Sequence, residues 1–310
     1  MPVLKLIPSC TDYLWGGDRL RGEYHIRSDK HPLAEAWVLS CHTAGPCTVA
    51  GGPDAGSTLA DYIARHGRSV LGKNCEGFAD FPILIKFIDA KSDLSIQVHP
   101  SNEYALANEG QYGKTEMWYI LDCEPGAFLY YGFRREISTE EFARRIRDNT
   151  LLEVLNAVPV HKGDVFFIPA GTLHAICRGI VLAEVQQNSN VTYRVYDYGR
   201  LGADGKPRAL HIPQALAVTE CRLPRTDFDF GPHLARCDSF TADLRDGAFE
   251  DTCDDASFTS LLVVDGAGSL RCGGETMPLQ KGDSLFVTAG SGAYAVSGDL
   301  RTLVTRVGTD

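Results

Sequence analysis

The sequence has no Cys-x-x-Cys pair, although it contains 10 cysteines. Zinc ribbons and thioredoxin-like chemistry are therefore excluded. The thiols lie at irregular intervals with no secretory leader ahead of them, which is the pattern of reduced, mostly buried cysteines rather than of a disulfide framework. The amino terminus, "MPVLKLIPSC", carries a single lysine and an apolar run too short for a signal peptide. Nor does any stretch reach the roughly 18 consecutive apolar residues of a membrane-spanning helix. A cytoplasmic location without a membrane partner is the expectation. Positive charge is also scarce: a formal net charge of −10 leaves no basic footprint for nucleic acid. An anionic ligand must be met by local lysines and arginines.

What is present is ordinary globular material. A chain of 310 residues, 44% hydrophobic and 23% charged, can bury a sizeable core and is neither disordered nor a coiled coil. Its 31 glycines and 15 prolines are spread along the chain, as in a β-rich fold with many turns between short elements. Two helices are predicted from their caps. In "STLADYIARHG", Thr58 and Asp61 stand at capping-box spacing, Leu59, Tyr62 and Ile63 share a face, and Gly67 supplies a stop. In "STEEFARRIRDNTLLEVLNAV", Ser138 and Glu141 form a second capping box. Arg144, Arg145 and Arg147 follow the acidic first turn and read as a solvated face rather than an anion site.

Most of the remainder reads as strands: "FPILIKFIDA", "MWYILD", "DVFFIPA", "TSLLVVDG" and "DSLFVTAG" are short runs rich in β-branched and aromatic residues. An internal echo organises them. "KGDVFFIPAGTLHAI", from Lys162, resembles "KGDSLFVTAGSGAYAV", from Lys281, so two similar β units are expected, divided near residue 230. Where the first copy has His174, the second has Ala293.

The stretch "SIQVHP" is the first with chemical promise. Side chains alternate along a strand, so Gln97 and His99 project to one face, and Pro100 marks the strand end. Alone, such a histidine is a polar residue satisfied locally. "GKTEMWYI" adds Glu116 at the start of a strand, and "PAGTLHAI" adds His174 after a glycine turn. Two imidazoles, a carboxylate and an amide form a plausible catalytic zinc set, since closed structural sites use cysteines. The wide spacing makes sense only if three strands converge on one interior.

"LIKFIDAKSDLSIQVHPSNEYA", "GKTEMWYIL", "IPAGTLHAI" and "NSNVTYRVYDYGR", in that order, resemble class I mannose-6-phosphate isomerases of the shorter bacterial form, within the cupin superfamily. The similarity runs from "LWGG" at Leu14 to "ALHIPQAL", with a weaker trace in the carboxy-terminal unit. It implies a mainly all-β chain of two cupin-like jelly-roll barrels with a few short helices. Residues 1–230 would form the catalytic metal-binding unit and residues 231–310 a degenerate unit without metal ligands. It implies one zinc ion per chain on Gln97, His99, Glu116 and His174, and Arg194, Lys114 and Lys86 beside it. Lys114 is assigned the proton transfer, with a metal-bound water as the alternative, and Arg194 and Lys86 the phosphate or enediolate. The implied reaction interconverts mannose 6-phosphate and fructose 6-phosphate through an enediol. A metal-dependent oxygenase and a non-catalytic sugar-phosphate-binding protein are the alternatives. Two departures stand out: larger relatives have His-Lys-Pro-Glu where this chain has Gly113-Lys114-Thr115-Glu116, and often Asp where it has Asn190. Glu35 reads equally as a buried partner of a ligand or as a strand residue facing water. In "GADGKPRAL", Asp204-Gly205 reads as a hairpin turn.

Overall fold

The computed structural model describes residues 3–202 and 205–308. The predicted hairpin turn at Asp204-Gly205 falls partly outside them. Strand is the dominant element, in three sheets of nine, six and five strands, with five short α-helices among the described residues.

The six- and five-stranded sheets face each other. Ile88, Trp118, Ile120, Ile180 and Leu182 from the first meet Leu129, Tyr131 and Ile176 from the second in one core. Alternation places the intervening residues of the six-stranded sheet on its other side. Ile83, Ile85, Phe87, Met117, Tyr119, Val181 and Val185 pack there against Leu262, Phe286 and Leu303 of the nine-stranded sheet. Strand Ile83–Ala90 is consequently buried along its whole length. This is why its sequence is a near-continuous apolar run, and why Lys86, the one cation within it, stands out. The outer face of the five-stranded sheet is covered by helices, with Phe142 and Ala215 packing on Ile96, Val98, Ala175 and Val195. The first described strand, Val3–Ile7, pairs with Ser284–Val287 and so belongs to the nine-stranded sheet.

Both predicted helices form, but the second stops at Arg147: Asn149 takes the left-handed conformation (φ 57°), and the rest of the predicted run folds as a 3-10 turn over Leu151–Val154 and a strand over Leu155–Pro159. Leu59–His66 has a complete capping box: Thr58 Oγ1 accepts from Asp61 N at 3.0 Å, and Asp61 Oδ2 accepts from Thr58 N at 3.3 Å. Thr58→Ala should cost about 1 kcal/mol, read from the denaturant midpoint. Thr139–Arg147 has only half a box. Ser138 accepts from Glu141 N at 3.1 Å, but the Glu141 carboxylate turns to Arg135 at 2.5 Å and Arg145 at 3.3 Å. A flanking guanidinium outcompetes the cap backbone for that carboxylate.

The internal echo is real down to its turns. Asp164 Oδ2 accepts from His161 N at 2.8 Å, and Asp283 Oδ2 accepts from Gln280 N at 3.0 Å. Gly163 and Gly282, at φ 95° and 93°, hold the same left-handed position. Past the turn the copies slip by one residue. Ala293 is exposed on the outside, and Tyr294 is the residue that faces inward as His174 does. The simple sequence alignment paired His174 with the wrong neighbour, because an added loop residue inverts which side chains face the interior.

Candidate active site

Strand alternation delivers the functional side chains to one interior. Ile96 and Val98 point out to the helix layer, so Gln97 and His99 point in. Glu116 begins strand Glu116–Cys123, whose Trp118 and Ile120 face the same way. His174 begins strand His174–Ile176 and pairs directly with Gln97.

His174 Nε2 lies 3.3 Å from Glu116 Oε1, and His99 Nε2 lies 3.7 Å from Glu116 Oε2. The ligand atoms of all three residues are within 4.8 Å of one another. Donors about 2.1 Å from a tetrahedral ion stand about 3.4 Å apart, so the spacing suits a metal. The Gln97 amide nitrogen is 3.5 Å from His174 Nε2, and turning the amide over presents its oxygen instead.

Tautomers agree with this. His99 Nδ1 meets the carbonyl of Val191 at 2.9 Å, and His174 Nδ1 that of Thr172 at 2.8 Å. A carbonyl can only accept, so each Nδ1 carries the proton and each Nε2 turns a lone pair toward the cage. Burial, with Lys114 and His174 adding to it, holds His99 well below the ordinary imidazole range. Burial likewise draws His174 down to about 4, against the pull of the Thr172 carbonyl. Both rings are neutral at neutral pH, as ligation requires. Glu116 Oε1 is fully buried with no hydrogen-bond partner. An orphaned carboxylate oxygen between two imidazole lone pairs is a site shaped for a cation.

Lys114 stands next to this cage. Its Nζ donates to Glu116 Oε2 and lies 3.2 Å from His99 Nε2 and 3.5 Å from Glu184 Oε1. Gly113 is forced: a Cβ there would come within 2.4 Å of the Ser101 carbonyl carbon. No side chain, an imidazole included, has room at this position. Lys86 Nζ lies 3.5 Å from both Glu35 and Glu184 and 4.7 Å over the Trp37 ring. Glu35 is buried and accepts from Trp37 Nε1 at 2.6 Å, so it does not face water, and its partners are Trp37 and Lys86.

Sequence reasoning missed Glu184. It accepts from Trp118 Nε1 at 2.8 Å and joins the two lysines. Burial alone would raise its carboxyl, but Lys114 and Lys86 outweigh it and bring the group to about 2. Glu116 is instead pushed up to about 8 by burial and by Glu184. The available signal was a lone carboxylate in "IVLAEVQQ", on the face opposite Val181, Ala183 and Val185.

A cavity of about 280 Å³ opens in front of these groups, lined by Glu35, Lys86, Gln97, Lys114, Glu184 and Arg194. Arg194 makes no bond to Asp197, the partner a surface salt bridge would have used. Its Nη1 donates to the Ala209 carbonyl at 3.0 Å, and its Nε is buried without a partner. Asp197 is taken by Arg200 at 2.5 Å and Arg208 at 2.5 and 2.7 Å. Arg208, also missed, lines the same cavity, so its rim carries more positive charge than Asp197 neutralises. Asn190 lines it as well.

Two facing sheets around a buried His–Glu–His cage, repeated in part by a second β unit, define a metal-binding class of β protein. Comparison narrows the class. Residues 3–122 match the family described as phosphomannose isomerase type I, catalytic domain, and residues 235–307 match the mannose-6-phosphate isomerase cupin domain. A putative mannose-6-phosphate isomerase, YvyI, of Bacillus subtilis is 36% identical over 97% of this chain and 98% of its own. The solved mannose 6-phosphate isomerase of Bacillus subtilis superposes with a TM-score of 0.90 at 34% identity, covering 98% of this chain and 99% of that one. A mannose 6-phosphate isomerase described as holo and zinc bound shares the fold, with a TM-score of 0.79 at 21% identity over 98% of this chain and 99% of its own. The chain belongs to the type I phosphomannose isomerase family.

Proposed function

We propose that this chain is a zinc-dependent aldose–ketose isomerase that interconverts mannose 6-phosphate and fructose 6-phosphate through an enediol. The observation that carries the reading is the convergence of His99, Glu116 and His174 on one cation-shaped site, beside Gln97 and Lys114, which line a cavity together with Arg194 and Arg208. Residues 1–230 hold this site, and residues 231–310 form a second unit without it. A sugar phosphate is too highly charged to cross a bilayer unaided, which suits a cytoplasmic enzyme.

His99, Glu116 and His174 would hold one zinc ion per chain, with Gln97 as the fourth ligand. A bound zinc supplies Lewis acidity toward the sugar oxygens without any change of oxidation state. The chain's own residues do the rest. The proton moves between C1 and C2, so the group that carries it must reach both carbons from one side. Lys114 would be that group, and its ion pairs with Glu116 and Glu184 beside the cage support the reading. Glu184 is fixed in turn by Trp118 and Lys86. Lys86 is committed to two carboxylates and lines the same cavity, where it would meet the substrate. Arg194, with an unmatched Nε, and Arg208, on the rim, are the planar forks that suit phosphate oxygens.

A coupled assay tests the reading. Turnover of mannose 6-phosphate should vanish after chelation and return with about one equivalent of zinc per chain. Full zinc occupancy without turnover would leave a sugar-phosphate-binding protein. Oxygen-dependent turnover with iron would make the chain an oxygenase.

A further inference from the structure

The C-terminal unit repeats the pairing of the catalytic one. In the catalytic unit His174 faces Gln97, and Gln186 faces Glu116. In the C-terminal unit Tyr294 faces Asp251, and Thr305 faces Ser260, with Arg306 and Thr259 one step further out. Inward-facing residues set the correspondence: Ile176 and Ile180 line one core as Val296 and Leu300 line the other. The places of Gln97, His99, Glu116 and His174 are thus taken by Asp251, Cys253, Thr259 and Tyr294. Arg306 takes the place of Gln186.

Arg306 closes on these residues. Its Nη2 donates to Asp251 Oδ2 at 2.5 Å and to the Tyr294 hydroxyl at 3.1 Å, and its Nε donates to Thr259 Oγ1 at 3.0 Å. Cys253 is buried in the same core, its thiol donating to the Thr288 carbonyl at 3.2 Å. We infer that the C-terminal unit carries a second cation centre, in which the guanidinium of Arg306 occupies the place that a divalent ion takes in the catalytic unit. The comparison rests on reading Gln97, His99, Glu116 and His174 as metal ligands.

The physical logic is charge replacement. An inward-facing Asp251 needs a positive partner, and arginine supplies a permanent one that no chelator removes. Its fork reaches three of the four ligand positions at once. The lysine–carboxylate pair beside the cage is lost as well: the partners Lys86 and Glu184 become Asp243 and Val304. This unit therefore holds a cation without the groups that move a proton. A cavity of about 520 Å³, lined by Asn74, His233, Asp243, Asp251, Asp254 and Arg306, leads to the centre from outside. An ion has a way in once the guanidinium is gone.

Cadmium is the probe, because its bond to a thiolate absorbs in the ultraviolet. In a His174→Ala background, Arg306→Ala should take up about one equivalent of Cd2+, gain thiolate absorption and melt about 5 °C higher with the ion than without. Adding Cys253→Ser should abolish the absorption, and the His174→Ala parent should show neither effect. Folded Arg306→Ala protein without the band and the shift overturns the proposal. Should Arg306→Ala not fold, Arg306→Lys and Arg306→Met decide. A place that requires a cation makes the lysine variant melt about 5 °C above the methionine variant, and equal melting temperatures overturn the proposal. Every arm lacks His174, so the outcome does not depend on whether the first site takes zinc.

Discussion

Changing His174 to alanine is expected to remove bound zinc and turnover together while the fold survives. His174 provides one of two imidazole lone pairs in the cage, and its Nε2 is 3.3 Å from the orphaned Glu116 oxygen. Losing a group that merely supports a ligand weakens metal affinity about 10- to 100-fold, so losing a ligand should exceed the upper end of that range. Turnover should fall by about 1,000-fold or more, the scale set by losing charge stabilisation at the reacting oxygens. Stability should suffer less. The variant leaves the Thr172 carbonyl without its donor, at about 1–3 kcal/mol, whereas the three sheets are held by separate apolar cores. Elemental analysis, the coupled assay and circular dichroism on one preparation check all three. A metal-free His174→Ala protein with native activity would end the metal-dependent mechanism.

Arg194→Ala should behave oppositely: zinc stays at one per chain, and kcat/KM falls about 100-fold or more. The arginine pairs with Gln97 through the strand backbone, while its side chain turns to the Ala209 carbonyl, so its cost comes from charge-assisted hydrogen bonds to the substrate. Arg194→Lys should recover only part of the loss, because an ammonium cannot span two oxygens as a fork does. Unchanged kinetics in the alanine variant would take Arg194 out of the mechanism.

The two predictions rest on residues of different legibility. His99 and His174 could be found in the chain because strand alternation and a glycine turn are local features, and the four ordered motifs supplied the rest. Both helices were legible for the same reason: a cap and its partner lie three residues apart. Glu184 was not. Its role depends on Lys86, on a neighbouring strand, and on Lys114, just ahead of another, and the one local signal, a lone carboxylate in an apolar run, does not say which cations it meets. The half-formed cap at Ser138 failed as a full box because Arg135, outside the predicted helix, competes for Glu141.

The chain by itself determined the β character, the duplication and the residue types available for a metal, because side-chain period, turn chemistry and composition act over a few residues. Tertiary structure alone decided which of those residues meet. Convergence of strands set His99, Glu116 and His174 around one point. One additional loop residue turned Tyr294 rather than Ala293 inward, and strand pairing brought Arg306 onto Asp251 and Tyr294. Charge and coordination act through space at a few ångströms, and distance along the chain carries no record of them.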